Sequence, residues 1–114
     1  MLFKKDDAQE FKNSVKCTIW EYTLKKENLS LATALIKGRY PDEGKVQNIK
    51  CEEVYYVVSG SGTIHSEFGD FEIKQGDVYF FEKQEKYWVD GKDLFLVVIS
   101  TPKWTSEQHK HNKK

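Results

Sequence analysis

The sequence predicts an all-β fold, a single domain built as a sandwich or barrel. Two observations carry this. Runs with a two-residue hydrophobic period recur along the chain, filled with Val, Ile, Tyr, Phe, Trp and Thr, the residue types that suit a pleated, half-buried surface. Between them lie short clusters rich in Gly, Asp and Ser, which suit tight turns. At 114 residues the chain has room for one such domain and not for two.

The extended stretches follow in order. In "SVKCTIWEY", residues 14–22, Val15, Cys17 and Ile19 alternate with Lys16, Thr18 and Trp20. "LSLATALIKGRY", residues 29–40, is the second. "EEVYYVVSG" is the third, and "GTIHSEFGDFEI" is read as a hairpin. "DVYFFEK", "KYWVDG" and "DLFLVVIST" complete the set. The punctuation is "YPDEG", "SGSG", "FGDF", "KQGD" and "VDGKD", and Gly69 and Gly91 are expected where turns need a positive backbone angle. The one helix candidate is the uncapped "DDAQEFKNS" near the amino end. The closing "HKHNKK" is too polar to pack and reads as a disordered tail.

Charge and composition exclude several function classes. Lys plus Arg and Asp plus Glu both number 18, so no basic excess marks a nucleic-acid partner. No apolar run approaches the roughly 18 residues of a membrane span. The opening "MLFKKDDAQE" has no apolar signal core, which makes the expected location cytoplasmic. Cys17 and Cys51 make a weak disulfide framework and read as small buried side chains. No glycine-rich phosphate loop, serine elbow or zinc-type cysteine spacing occurs.

Two half-motifs then point to a family. Glu53, six intervening residues and Gly60 are similar to the end of the first cupin motif. Gly76-Asp77-Val78 after "EIKQ" is similar to the start of the second. The resemblance to cupins covers residues 30–101 and implies a small antiparallel jelly-roll barrel with a pocket at its mouth. It divides the chain into an N-terminal arm at 1–13, the cupin-like barrel at 14–104 and a tail at 105–114. In metal-binding cupins this pattern carries three histidines and the glutamate. Here the histidine positions fall on Gln47, Ile49 and Tyr87, so no metal and no cofactor are expected. The stretches "GRYPDEGKVQN", "EKYWVDGK" and "TPKWTSEQHK" also resemble a group of small bacterial cupin-like proteins that implies no particular reaction. That likeness groups Arg39, Tyr40, Pro41, Asn48, Lys86, Tyr87, Trp88, Trp104, Gln108 and His109 in one recurring pattern.

The candidate site follows from these positions. Glu53 and Tyr87 are the candidate catalytic pair, as base and acid. Arg39, Gln47, Tyr55 and Trp88 are the candidate ligand-binding residues. Arg39 is the only arginine, and its planar fork suits a carboxylate or phosphate; the alternative is a salt bridge to Glu53 or Glu82. Gln47 is expected to point inward as a neutral wall. Trp20, Trp88 and Trp104 each suit either stacking on a ring or ordinary packing. His65, on a strand beside Ser66 and Glu67, has no evident metal partners; His109 and His111 in the tail read as solvated, with "EQH" folding back over the barrel mouth as the alternative. Cys51, beside two glutamates, is a poor nucleophile.

The leading expectation is therefore metal-independent binding of a polar or anionic small molecule, such as a carbohydrate or sugar phosphate, with isomerase- or epimerase-type proton transfer. Two alternatives stay open: a non-catalytic ligand-binding or dimeric interaction module, and a metal-dependent cupin enzyme with an atypical site. Bulky residues on both faces of "VYYVV" and "VYFFE" exceed what one small barrel encloses, which predicts a homodimer.

Overall fold

A computed structural model describes residues 1–113 as ten antiparallel strands curled into a barrel. They are β1 (Gln9–Ser14), β2 (Cys17–Tyr22), β3 (Ser30–Ile36), β4 (Arg39–Tyr40), β5 (Lys45–Asn48), β6 (Glu52–Ser66), β7 (Gly69–Lys74), β8 (Val78–Phe81), β9 (Tyr87–Thr101) and β10 (His109–Asn112). One wall runs β1-β2-β3-β9-β5-β10, with β4 also on β9; β6 pairs with β7, β8 and β9. The all-β barrel expected from the sequence is the fold observed. Among the described residues no helix is long and apolar enough to cross a membrane.

β6 and β9 are the spine. Each is 15 residues long, and they pair from Glu52↔Thr101 to Ser66↔Tyr87. Their inward side chains make the core: Tyr55, Val57 and Ile64 from β6, and Tyr87, Val89, Leu94 and Leu96 from β9, all buried. Each fully buried aliphatic side chain contributes about 1.5–3 kcal/mol. Aromatic edges close the centre, with ring centroids 4.7 Å apart for Tyr55–Phe81 and 4.2 Å for Phe81–Tyr87.

Several local expectations are corrected by tertiary pairing. "SGSG" is not a turn between strands. It is a pair of register shifts inside β6, where the long strand bends. Gly60 has φ +78°, and a Cβ there would lie 1.9 Å from the Asp93 carbonyl oxygen, so only glycine fits the bend. "VDGKD" is likewise no turn, because β9 runs through it. Gly91 is required for a different reason: a Cβ would meet the Ile36 carbonyl oxygen at 2.4 Å. The helix candidate near the amino end is a three-residue 3-10 turn at Lys5–Asp7 followed by β1, which β2 draws into the sheet from Gln9↔Glu21 to Ser14↔Cys17. Of the tail expected to be disordered, residues 109–112 form β10, paired with β5 from His109↔Asn48 to Asn112↔Lys45, and Lys114 lies outside the described residues.

Candidate functional site

Alternation along β6 turns Cys51, Glu53, Tyr55 and Val57 inward and leaves Tyr56 and Val58 outside. The same rule on β9 turns Tyr87 and Val89 inward and, further on, Leu94, Leu96 and Ser100. β4 contributes Tyr40, opposite Val89. β1 brings Asn13 to the same space, and the segment after β9 brings Trp104 and His109. These surround a cavity of about 620 Å³, counting its open mouth. One end is polar, with Tyr40, Glu53, Tyr55, Tyr87, Ser100 and His109; the rest of the lining mixes the apolar Phe11, Ile19, Leu31, Val98 and Trp104 with the polar Glu21 and Ser30.

Glu53 is the centre of the polar end. It is 5% exposed, and neither ion pair among the described residues includes it. Burial of a carboxyl with no cation beside it pushes its pKa up to about 7. Three neighbours pull the other way: Ser100, Tyr87 and Asn48 favour the ionised form. The Ser100 hydroxyl donates to Glu53 Oε2 at 2.9 Å. The phenols of Tyr55 and Tyr87 lie close enough to affect each other and Glu53, and burial holds both well above the ordinary phenol value. Near neutral pH this end holds a carboxyl poised between its two forms and neutral phenols, the combination that general acid–base chemistry needs. Cys17 also lines the cavity, but burial pushes its thiol up to about 12, so it stays a thiol.

The structure thus brings Glu53, Tyr55 and Tyr87 together and separates the other three candidates from them. Arg39 precedes Tyr40 in β4 and Trp88 follows Tyr87 in β9; because the second member of each pair of neighbours must face the other way, both lie on the outer surface. There the Arg39 guanidinium carbon sits 3.9 Å from the Trp88 ring centre, and His65 stacks on Trp88 at 3.8 Å. Arg39 Nη2 donates to the Gly44 carbonyl at 2.6 Å and makes no salt bridge to Glu53 or Glu82. Gln47 also faces away. Its Nε2 donates to the Gln84 carbonyl at 3.0 Å, and its Oε1 accepts from Asn112 Nδ2 at 3.1 Å. The inward phase counted back from Glu53 fails because β5 ends at Asn48 and β6 begins at Glu52. Across that corner the buried positions change from odd (Cys51, Glu53) to even (Val46, Asn48).

Asn48 and the segment after β9 complete the site. Asn48 is 2% exposed. Its Oδ1 receives Trp104 Nε1 at 3.2 Å, Gln108 Nε2 at 2.9 Å and His109 Nδ1 at 2.8 Å. Gln108 Oε1 accepts from the backbone N–H groups of Lys50 and Cys51, at 3.2 and 3.3 Å, which holds the β5–β6 corner in place. The recurring pattern in the sequence pointed to Tyr40, Asn48, Trp104, Gln108 and His109. His109 is half-buried and not solvated. Asn13 and Ser100 are site residues that the sequence barely marks. The signal for Ser100 is a lone hydroxyl in phase with Leu94 and Leu96; Asn13 carries none, because its strand is polar apart from Phe11.

A metal-binding cupin site does not fit these residues. Among the described residues no three His, Cys, Asp or Glu converge. Gln47 faces outward, Ile49 has no donor, and Glu53 is engaged by Ser100.

Known structures share the architecture. The chain is similar to Pac13, whose structure is described as that of a unique nucleoside dehydratase, with 14% identity, a TM-score of 0.89 and coverage of 99% of this chain and 91% of that one. Variants of the Streptomyces protein with a tyrosine or a histidine replaced have been solved with uridine. Ectoine synthase from P. lautus matches at 19% identity and TM-score 0.74, covering 98% of this chain and 89% of that one. KdgF from a Halomonas species matches at 14% identity and TM-score 0.73, covering 91% and 96%. The fold is that of a small single-domain cupin barrel. No protein-family model and no curated protein matches the sequence.

Proposed function

We propose that the cavity binds a small, neutral, hydroxylated ring compound of the nucleoside or sugar type, and that Glu53 and Tyr87 transfer a proton on it. The observation that carries this reading is Glu53 itself: a buried carboxyl without a counter-cation, held up to about 7 among phenols at the floor of an open cavity. Trp104 and the apolar side chains of the lining suit a flat ring face, and the polar end suits its hydroxyl edge. The cavity lining holds no lysine or arginine, which favours a neutral ligand over a sugar phosphate. The uridine bound by Streptomyces Pac13 variants of the same fold has the same two-sided chemistry, and supports a nucleoside as the first compound to try. Isomerisation, epimerisation and elimination of water all need one proton taken and one given, which a carboxyl and a phenol supply.

A thermal-shift and NMR titration against uridine, free sugars and sugar phosphates tests the reading. A neutral hydroxylated compound should raise stability by mass action and shift resonances of Glu53 and Tyr87. Binding confined to phosphorylated compounds, or unaffected by Glu53→Gln, would remove it.

A homodimer is part of the proposal. Tyr56, Val58, Val78 and Phe80 lie exposed on the outer face of β6 and β8, with Tyr56 paired to Val78. This apolar face supports self-association of two copies through a two-fold axis. Free, buried Cys17 and Cys51 support a reducing compartment, the cytoplasm.

A further inference from the structure

The direction of one hydrogen-bond chain beside the cavity is fixed by its chemistry. An indole nitrogen can only donate, so the Asn48 atom 3.2 Å from Trp104 Nε1 is the amide oxygen. That oxygen can only accept, so His109 Nδ1, 2.8 Å away, carries a hydrogen. Burial, with nearby His111, pushes the His109 ring down to about 4, and near pH 7 it is neutral with one ring hydrogen. Nε2 is therefore bare, and the Tyr40 hydroxyl 3.0 Å away donates to it. The Tyr40 oxygen in turn accepts from Asn13 Nδ2 at 3.0 Å. At the other end of the same amide, Asn48 Nδ2 is buried with no hydrogen-bond partner and sits on the Glu53 side.

We infer that Tyr40 and His109 form a second proton-handling unit in the cavity, with Asn48 as the positioning residue that sets its direction. The inference rests on the proton-transfer reading of the cavity and deepens it. The ligand must present a hydroxyl to Tyr40 and a second oxygen to Glu53. A ligand O–H passes its proton to the Tyr40 oxygen while Tyr40 passes its own proton to His109 Nε2. Where the two ligand oxygens share one carbon, as in the hemiacetal of a free sugar, the electron pair left by the O–H proton forms the C=O bond as the bond from that carbon to the second oxygen breaks. Glu53 in its protonated form gives its proton to that second oxygen, leaving a carboxylate and an imidazolium, so total charge is unchanged. Burial disfavours the imidazolium, so the unit stores a proton only transiently. Cys17 from β2, Glu53 from β6 and His111 from β10 are the titratable groups that act on the pair.

Two-bond ¹H–¹⁵N spectra of the histidine rings in the full chain near pH 7 test this. The expected result is a single His109 tautomer with hydrogen on Nδ1 and a bare Nε2. An Nε2–H tautomer, or an average of the two, would overturn the inference. Asn48→Leu should lose the single tautomer and Asn48→Asp should keep it; if Asn48→Leu does not fold, the wild-type tautomer decides. Uridine is the probe for the second arm. It should move the Nε2 resonance as Tyr40 turns to its hydroxyl. Tyr40→Phe should abolish that movement while weakening uridine binding roughly tenfold. Uridine bound with an unmoved Nε2 resonance also overturns the inference. If uridine does not bind at all, the nucleoside reading fails, and the tautomer alone decides this one.

Discussion

Glu53 and Ser100 stand directly opposite each other on β6 and β9, and the Ser100 hydroxyl donates to the Glu53 carboxyl at 2.9 Å. The bond favours the charged carboxyl, against the burial that disfavours it. Ser100→Ala should therefore raise the Glu53 pKa further, by roughly one unit, the scale of one hydrogen bond to a charged group. A ¹³C titration of the labelled carboxyl measures it; an unmoved or lowered midpoint would show that the hydroxyl does not control this group.

Stability against pH carries two opposed contributions. The Glu53 carboxyl is raised from 4.5 to about 7 in the folded chain. Between those values the unfolded chain has released the proton and the folded chain keeps it, so stability falls as pH rises through that window. His109 is lowered from 6.5 to about 4. Between those values the unfolded chain binds a proton that the folded chain refuses, so stability rises with pH there. Each separation is worth on the order of 3 kcal/mol, and the windows overlap. Wild-type stability should be nearly flat from these two groups across the overlap. Glu53→Gln should leave a rise and His109→Gln a fall. Urea unfolding at several pH values checks both signs, and parallel curves for the two variants would refute the assignment.

The outer face of β6 and β8 should hold two copies together. Sedimentation at micromolar concentration should give twice the 13.4 kDa chain mass. Val78→Glu with Phe80→Glu should give monomers that keep their fold, since both side chains are exposed. A monomeric wild-type protein would rule the dimer out.

Arg39 stacks outside the barrel, so its removal should not touch the cavity. Arg39→Ala should leave ligand binding unchanged and cost about 1 kcal/mol, the scale of an exposed cation–π contact. A loss of ligand affinity measured by titration calorimetry would return Arg39 to the site.

Purified, untagged protein should carry well under one transition metal per chain, and a chelator should not change its thermal midpoint. Stoichiometric metal that survives dialysis would contradict the donor set around Glu53.

Period-two patterning makes the strands legible, and with them the inward placement of Glu53; Tyr87 is legible through its place in the second cupin-like motif. It misplaced Gln47 because the alternation was extended across the Ile49–Lys50 corner, where no strand carries it. Adjacent Arg39 and Tyr40 show the same limit: a two-residue strand has no period to read, and only its pairing with Val89 and Asp90 decides which side chain turns inward. Local composition also said little about β1 and β10. Both are polar, and both become strands because a neighbour offers an unpaired edge.

The donors to Asn48 come from residues 104–109, and its register partner His109 lies 61 positions further along the chain. On the ribosome, β5 emerges long before anything that can satisfy that amide. Without the segment after β9, Asn48 loses all three of its donors and Tyr40 has no His109 to bond. The cavity lining is therefore complete only once the last segment of the described chain has paired with β5, one of the shortest strands of the sheet.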